Sequence, residues 1–225
     1  MGRKMEETLV CYGSPTIPLI LGCEMGLPQR MPVLSPTDYL HIERQATYRS
    51  EYYAGEMFAM AGGSPRHSRI KTNILTQLNL RLQNQPCTPY DSDLRIRIPE
   101  TSLYTYPDAS VICGELEFDD DQKDTVVNPT LIVEVLSPST EAYDRGMKFD
   151  QYRRIASLRE YVLVAQDSPR IERFLRNEDG TWNMAIVQGL EESIRLDSIG
   201  VTLPLAEVFL KVDLTARVSL RPEST

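Results

Sequence analysis

Residues 128–140 read NPTLIVEVLSPST, and this stretch decides the fold. Leu131, Ile132, Val133, Val135 and Leu136 form a short apolar run, closed in front by Pro129 and behind by Ser137-Pro138. Such a run reads as a strand covered on both faces. Glu134 interrupts it. An unpaired carboxylate in that setting costs several kcal/mol, or it takes up a proton. Three explanations stand open at this point: a lysine or arginine partner, an edge position facing water, or a metal-binding or catalytic role.

Working outward, residues 106–113 (YPDASVIC) read as a strand with Asp108 at its start, and residues 93–99 (DLRIRIP) alternate cleanly. Leu94, Ile96 and Ile98 point one way, and Asp93, Arg95 and Arg97 the other. Residues 48–53 and 56–61 flank Ala54-Gly55 as a hairpin. Ser64 caps and Pro65 opens a helix whose buried stripe is Ile70, Ile74, Leu78 and Leu82, with His67 in its first turn. Asn84-Gln85-Pro86 ends it. A short helix begins at Ser35-Pro36. Past Glu134, residues 137–140 cap a helix over 141–155. Strands at 160–166 and 170–175, a turn at 177–180, a strand from Thr181 and a short helix over 206–212 complete the pattern. Residues 1–34, without a clear period, read as an extended arm, and residues 35–225 as a single domain. This order predicts an α/β fold with a central mixed sheet flanked by helices.

Composition narrows the function classes. The 225 residues are 41% hydrophobic and 25% charged, as in ordinary globular proteins. No apolar run approaches the roughly 20 residues of a membrane span, and residues 17–21 are far too short. The N-terminal sequence shows no signal peptide, and Arg3 weighs against lipidation at Gly2. Cys11, Cys23, Cys87 and Cys113 form no CxxC pair and join no histidine cluster, which argues against structural zinc. Cysteines scattered in this way fit a reducing cytoplasm. The net charge of −8 weighs against tight non-specific binding to nucleic acid, although a local basic groove is compatible with it. Glu115, Glu117, Asp119, Asp120, Asp121 and Asp124 cluster in one stretch; Arg145, Lys148, Arg153, Arg154 and Arg159 cluster in another.

Neighbouring strands can set Asp108 beside Glu134. Two adjacent carboxylates repel, and one takes up a proton unless a cation intervenes. Mg²⁺ suits this setting, because it binds through one or two carboxylates, keeps several waters and accepts phosphate oxygens. On the following helix Asp144, Lys148 and Tyr152 fall at i, i+4 and i+8 on one face. From there the Lys148 ammonium can reach the carboxylates, or it can form only a surface pair with Asp144.

The PD at 107–108 and the glutamate strand at 134 resemble the PD-(D/E)XK nuclease superfamily. RSEYYAGEMFAMAGGSPRHSRI, YDSDLRIRIP, YPDASVICG, NPTLIVEVLSPSTEAYDRGMKFDQYRRIASLREYVLV and GTWNM resemble one branch more closely, the Uma-type family of restriction-endonuclease-like proteins. The resemblance spans residues 35 to 212. It implies a restriction-endonuclease-like fold and a metal-dependent phosphodiesterase site, with Asp108, Glu134 and the Val135 carbonyl as ligands of Mg²⁺ or Mn²⁺. Leu136 stands where the superfamily motif has lysine, and the resemblance points to Lys148 on the next helix in its place. Glu56 and His67 fall in the family's N-terminal segment. It implies a metal or water contact for Glu56. For His67 it implies a base or a phosphate contact, beside the alternative of a capping histidine bonded to a carboxylate. Glu51 reads as a solvated strand position, Asp93 as a partner of Arg95 and Arg97, and Tyr152 and Tyr161 as packing.

The expected activity is endonucleolytic hydrolysis of nucleic acid, DNA foremost, by a cytoplasmic protein without membrane attachment. A homodimer would present one site to each strand of a duplex. Two other readings belong beside it: a weakly catalytic binding or regulatory protein on the same fold, and a metal-dependent hydrolase of another phosphate ester.

Overall fold

The computed structural model describes residues 33–215. The expectations for the N-terminal arm, Gly2, Cys11 and Cys23 lie outside those residues. Helix α1 (Pro36–Glu43) starts at Ser35, whose hydroxyl accepts the Asp38 N–H. Strands β1 (Ser50–Tyr53) and β2 (Glu56–Ala59) form the hairpin. Its turn residues, Ala54 and Gly55, both have positive φ, the twist a tight hairpin requires. Helix α2 (Pro65–Leu82) buries the expected stripe of Ile70, Ile74, Leu78 and Leu82. There follow β3 (Cys87–Asp91), β4 (Arg95–Ile98), β5 (Leu103–Thr105), β6 (Ala109–Cys113), β7 (Thr125–Val126) and β8 (Leu131–Val135).

The next helical stretch departs from its expected form. Helix α3 (Glu141–Tyr143) runs into a π-helical turn (Asp144–Lys148) and then α4 (Phe149–Tyr152), so regular structure ends three residues before Ile155. The chain continues through β9 (Glu160–Val164), β10 (Arg170–Arg176), β11 (Trp182–Gln188), β12 (Ser193–Leu196), β13 (Val201–Pro204) and α5 (Leu205–Val208).

The strands form three sheets. A six-stranded sheet runs β11-β10-β9-β8-β6-β3, a five-stranded sheet runs β2-β1-β5-β4-β7, and β12 pairs with β13. The six-stranded sheet is mixed: β8 is parallel to β9 and antiparallel to β6. Strand β8 is therefore interior, and all five of its residues are buried. Glu134 does not sit on an edge. Leu131, Val133 and Val135 pack with the stripe of α2. Ile132 and Leu136 pack on the other side with Tyr152, Tyr161, Ile96 and Ile98. Glu134, by alternation, shares that second side.

One cysteine expectation needs correction. Cys87 and Cys113 face each other across the β3–β6 ladder, Cα atoms 3.9 Å apart, and are joined by a disulfide. The ladder register makes that pair, across 26 positions of sequence that carry no local signal. The cysteines thus give no support to a reducing compartment. Among the described residues no helix is long and apolar enough to cross a membrane.

Candidate active site

Asp108 lies immediately before β6, and Glu134 is the fourth residue of β8. The two engage each other through the backbone. Glu134 Oε2 accepts the Asp108 N–H at 3.3 Å, and Asp108 Oδ2 accepts the Val135 N–H at 2.8 Å. The proline of the PD pair explains why there is room for this. Ala109 pairs with Val133, and the same register continued by two residues sets Pro107 opposite Val135. Pro107 has no N–H to give to the Val135 carbonyl. The N–H and C=O of a strand residue point to the same side, so this carbonyl faces the Asp108 side without the ladder bond it would otherwise receive.

The helical stretch after β8 supplies the cation. Lys148 Nζ stands 2.8 Å from Glu134 Oε1, 3.1 Å from Glu51 Oε1 and 3.7 Å from Asp144 Oδ1. The Tyr152 hydroxyl donates to the same Glu134 oxygen at 2.9 Å. Asp144, Lys148 and Tyr152 do share one face, as their spacing predicts. The π-helical turn sits where it serves this arrangement; such turns gather at functional sites. The Tyr161 hydroxyl donates to the Asp144 carbonyl at 3.0 Å and fixes the turn from below.

From the other side α2 brings His67, with Nε2 3.0 Å from Asp108 Oδ2. Ser64 sets its position, because the capping hydroxyl accepts the His67 N–H at 3.1 Å while donating to Gln166 Oε1 at 2.7 Å. A Cβ on Gly63 would stand 2.7 Å from His67 Nδ1, so the glycine leaves the ring its space.

Glu134 is buried opposite a lysine, yet the local charge does not balance. Glu51, Asp108, Glu134 and Asp144 converge on Lys148 and His67. Burial pushes the Glu134 carboxyl up to about 8; Asp144 and Asp108 add to the rise, and Lys148 opposes it. Asp144 is raised by burial and by Asp108 and Glu51, again against Lys148. Burial alone would lower the Lys148 ammonium, but the groups around it, Glu134 foremost, hold it well above its ordinary value. The cluster carries more negative charge than its own cations offset.

That excess, with hard oxygen donors on Asp108, Glu134 and the Val135 carbonyl, fits a divalent cation. Asp108 Oδ1 has no hydrogen-bond partner among the described residues. No group of three or more His, Cys, Asp or Glu side chains among them is arranged to hold a metal ion. The donors that do converge are oxygens, the ligand type that Mg²⁺ and Mn²⁺ take.

Five of the six residues expected in the site come together: Asp108, Glu134, Val135, Lys148 and His67. Glu56 does not. It lies exposed at the start of β2, opposite Tyr53 beside the hairpin turn and outside the cleft. Its place is taken by Glu51, expected to be solvated. β1 is an inner strand of its sheet, and Glu51, with its side chain 12% exposed, meets Lys148, Thr105 and Tyr143. Tyr152 packs in the core as expected and also donates a hydrogen bond to Glu134. Asp93 pairs with Arg49, while Arg95 and Arg97 pair with Asp124 and Asp119. The site opens into a cleft of about 560 Å³ that contains Glu51, His67, Asp108, Glu134, Asp144 and Lys148.

A family described as "Uma2: Putative restriction endonuclease" matches residues 36–206. The chain belongs to the Uma2 family. Two further proteins are similar to this Uma2 chain, both from Synechocystis sp. "Uncharacterized protein slr1290" is 39% identical over 180 residues, covering 79% of this chain and 92% of that protein. "Uncharacterized protein sll1609" is 38% identical over 157 residues, covering 70% and 89%. A crystal structure described as a "putative nuclease belonging to DUF820" from Anabaena variabilis superposes with a TM-score of 0.64. The superposition covers 78% of this chain and 97% of that one, at 14% identity, and shows a shared fold. The Uma2 chain thus belongs to a family described as restriction-endonuclease-like and shares its fold with that neighbour.

Proposed function

We propose that this chain is a metal-dependent endonuclease that hydrolyses nucleic-acid phosphodiesters, DNA foremost. The observation that carries the reading is the mutual engagement of Asp108 and Glu134 across β6 and β8, with Lys148 delivered to Glu134 from the next helix. Asp108, Glu134 and the Val135 carbonyl would hold Mg²⁺ or Mn²⁺. When bound, such a cation polarises the phosphate and lowers the pKa of an attacking water. The residues of the chain do the rest. Lys148 holds positive charge where a phosphorane-like transition state gathers negative charge, and it orients a water beside Glu134. Glu51 and Asp144 keep that ammonium charged and in place. His67, fixed on Asp108 and lining the cleft, serves as a phosphate contact or a proton acceptor.

The test is cleavage of supercoiled and of single-stranded circular DNA, with Mg²⁺, with Mn²⁺ and with a chelator. Wild type is compared with Asp108→Ala, Glu134→Ala and Lys148→Ala, each checked for folding by circular dichroism. Cleavage that needs metal and disappears in all three variants supports the proposal. Cleavage that survives in the Asp108 and Glu134 variants defeats it.

A further inference from the structure

The hairpin that carries Glu51 also carries a feature that metal-dependent hydrolysis does not use. Phe58 pairs directly with Glu51 across β1 and β2, and residues opposite each other in a ladder share one face of the sheet. Glu51 reaches Lys148 from that face, so Phe58 stands on the same side. Phe58 is 48% exposed and Met60, two residues on, is 37% exposed, and both line the cleft. Large apolar side chains left open beside a polar site mark a surface that takes something up.

Lining and size bear on what the cleft would take. Among the described residues its lining holds four carboxylates, one lysine and one histidine. A duplex is gripped along its backbone by several cationic contacts, and this lining offers one ammonium. The cleft volume of about 560 Å³ falls in the range of pockets that take one small molecule, roughly 300–1,000 Å³. Single strands add to backbone contacts the stacking of their bases on aromatic side chains, which a paired duplex does not offer. The same cleft is lined by the linked hydroxyls of Ser137, Ser139 and Thr140, neutral groups able to hydrogen-bond a base edge or a sugar.

We propose that the cleft takes an unpaired nucleotide, with its base against Phe58 and Met60 and its phosphate toward Asp108, Glu134 and Lys148. The substrate class is single-stranded nucleic acid, or an unpaired stretch within a duplex. The inference rests on the nuclease reading, but binding tests it without turnover.

The experiment uses the full chain with Ca²⁺ in place of Mg²⁺ and a single-stranded oligodeoxynucleotide carrying 2-aminopurine, free and annealed to its complement. The single strand should bind at least about tenfold more tightly than the duplex. Phe58→Ala should weaken single-strand binding by about 5- to 100-fold and remove the quenching of 2-aminopurine, while Phe58→Trp retains both. Duplex binding should not change in either variant. Equal or tighter duplex binding overturns the inference, as does an unaffected Phe58→Ala variant or no binding at all. Metal-dependent cleavage without a single-strand preference removes this inference and leaves the nuclease reading. The binding pattern without cleavage does the reverse.

Discussion

Lys148 meets Glu134 from a helix and not from the strand that carries the glutamate, with Nζ 2.8 Å from Oε1. Both groups are almost fully buried. Two residues after Glu134, just past the end of β8, stands Leu136, which packs in the core. Lys148 is thus the ammonium that faces Glu134, although it lies 14 positions further along the chain.

Lys148→Ala should lower the rate of phosphodiester cleavage by about 100-fold or more, the usual loss when one charge-stabilising donor is removed from a transition state. Lys148→Arg should not restore it, because a planar guanidinium does not replace a compact ammonium held among three carboxylates. Initial rates at saturating metal, for variants shown to be folded, check this. A Lys148→Ala variant with wild-type rates would remove the lysine from the mechanism.

Glu134 should make stability fall as pH rises. Burial raises its folded pKa to about 8 from an ordinary 4.5, so the folded chain keeps a proton that the unfolded chain releases. The stabilisation is fully present below about pH 4.5 and lost as pH climbs through about 8. Glu134→Gln, a neutral side chain of the same shape, lacks this dependence. Urea unfolding between about pH 5 and pH 9 should show wild type losing on the order of a few kcal/mol relative to Glu134→Gln. Parallel curves for the two proteins would mean that Glu134 is charged in the fold throughout that range.

Ser64→Ala should cost about 1 kcal/mol, a typical loss for a helix N-cap, and somewhat more through the freed Gln166 side chain. Ser64→Thr should recover most of it. The measurement is again urea unfolding, with nuclease rates as a second readout, because the cap also fixes the first turn that carries His67. An unchanged midpoint would show that Pro65 alone holds the helix start.

Much of this was legible in the sequence because it rests on local rules. The period of Ile70, Ile74, Leu78 and Leu82, the cap at Ser64, the Ala54-Gly55 turn and the apolar run around Glu134 each follow from neighbours within a few positions. The i, i+4, i+8 spacing of Asp144, Lys148 and Tyr152 placed three groups on one face. What failed depends on long-range register. Whether Glu51 or Glu56 enters the cleft is decided by how the hairpin docks on β5, and local alternation cannot say which face of the hairpin is covered. The Cys87–Cys113 pair is set by the β3–β6 ladder, and the partner of Asp93 by the approach of Arg49. The π-helical turn left no readable mark beyond Gly146 inside it.

Pro107→Ala should weaken metal binding without touching any metal-ligating side chain. In the wild type the residue opposite Val135 has no N–H, and the Val135 carbonyl is left facing Asp108. Alanine restores that N–H, so the ladder gains one bond and the carbonyl gains a competing partner. Metal-free stability should hold or rise by about 0.5–1.5 kcal/mol, the net worth of one hydrogen bond. A ligand at a hundred times its Kd stabilises the fold by about 2.7 kcal/mol, so thermal unfolding with saturating Mn²⁺ should show a clear upward shift for wild type. That shift should shrink in Pro107→Ala and disappear in Asp108→Asn. A full shift in Pro107→Ala would mean that the carbonyl does not bind the ion, and that Asp108 and Glu134 hold it with water alone.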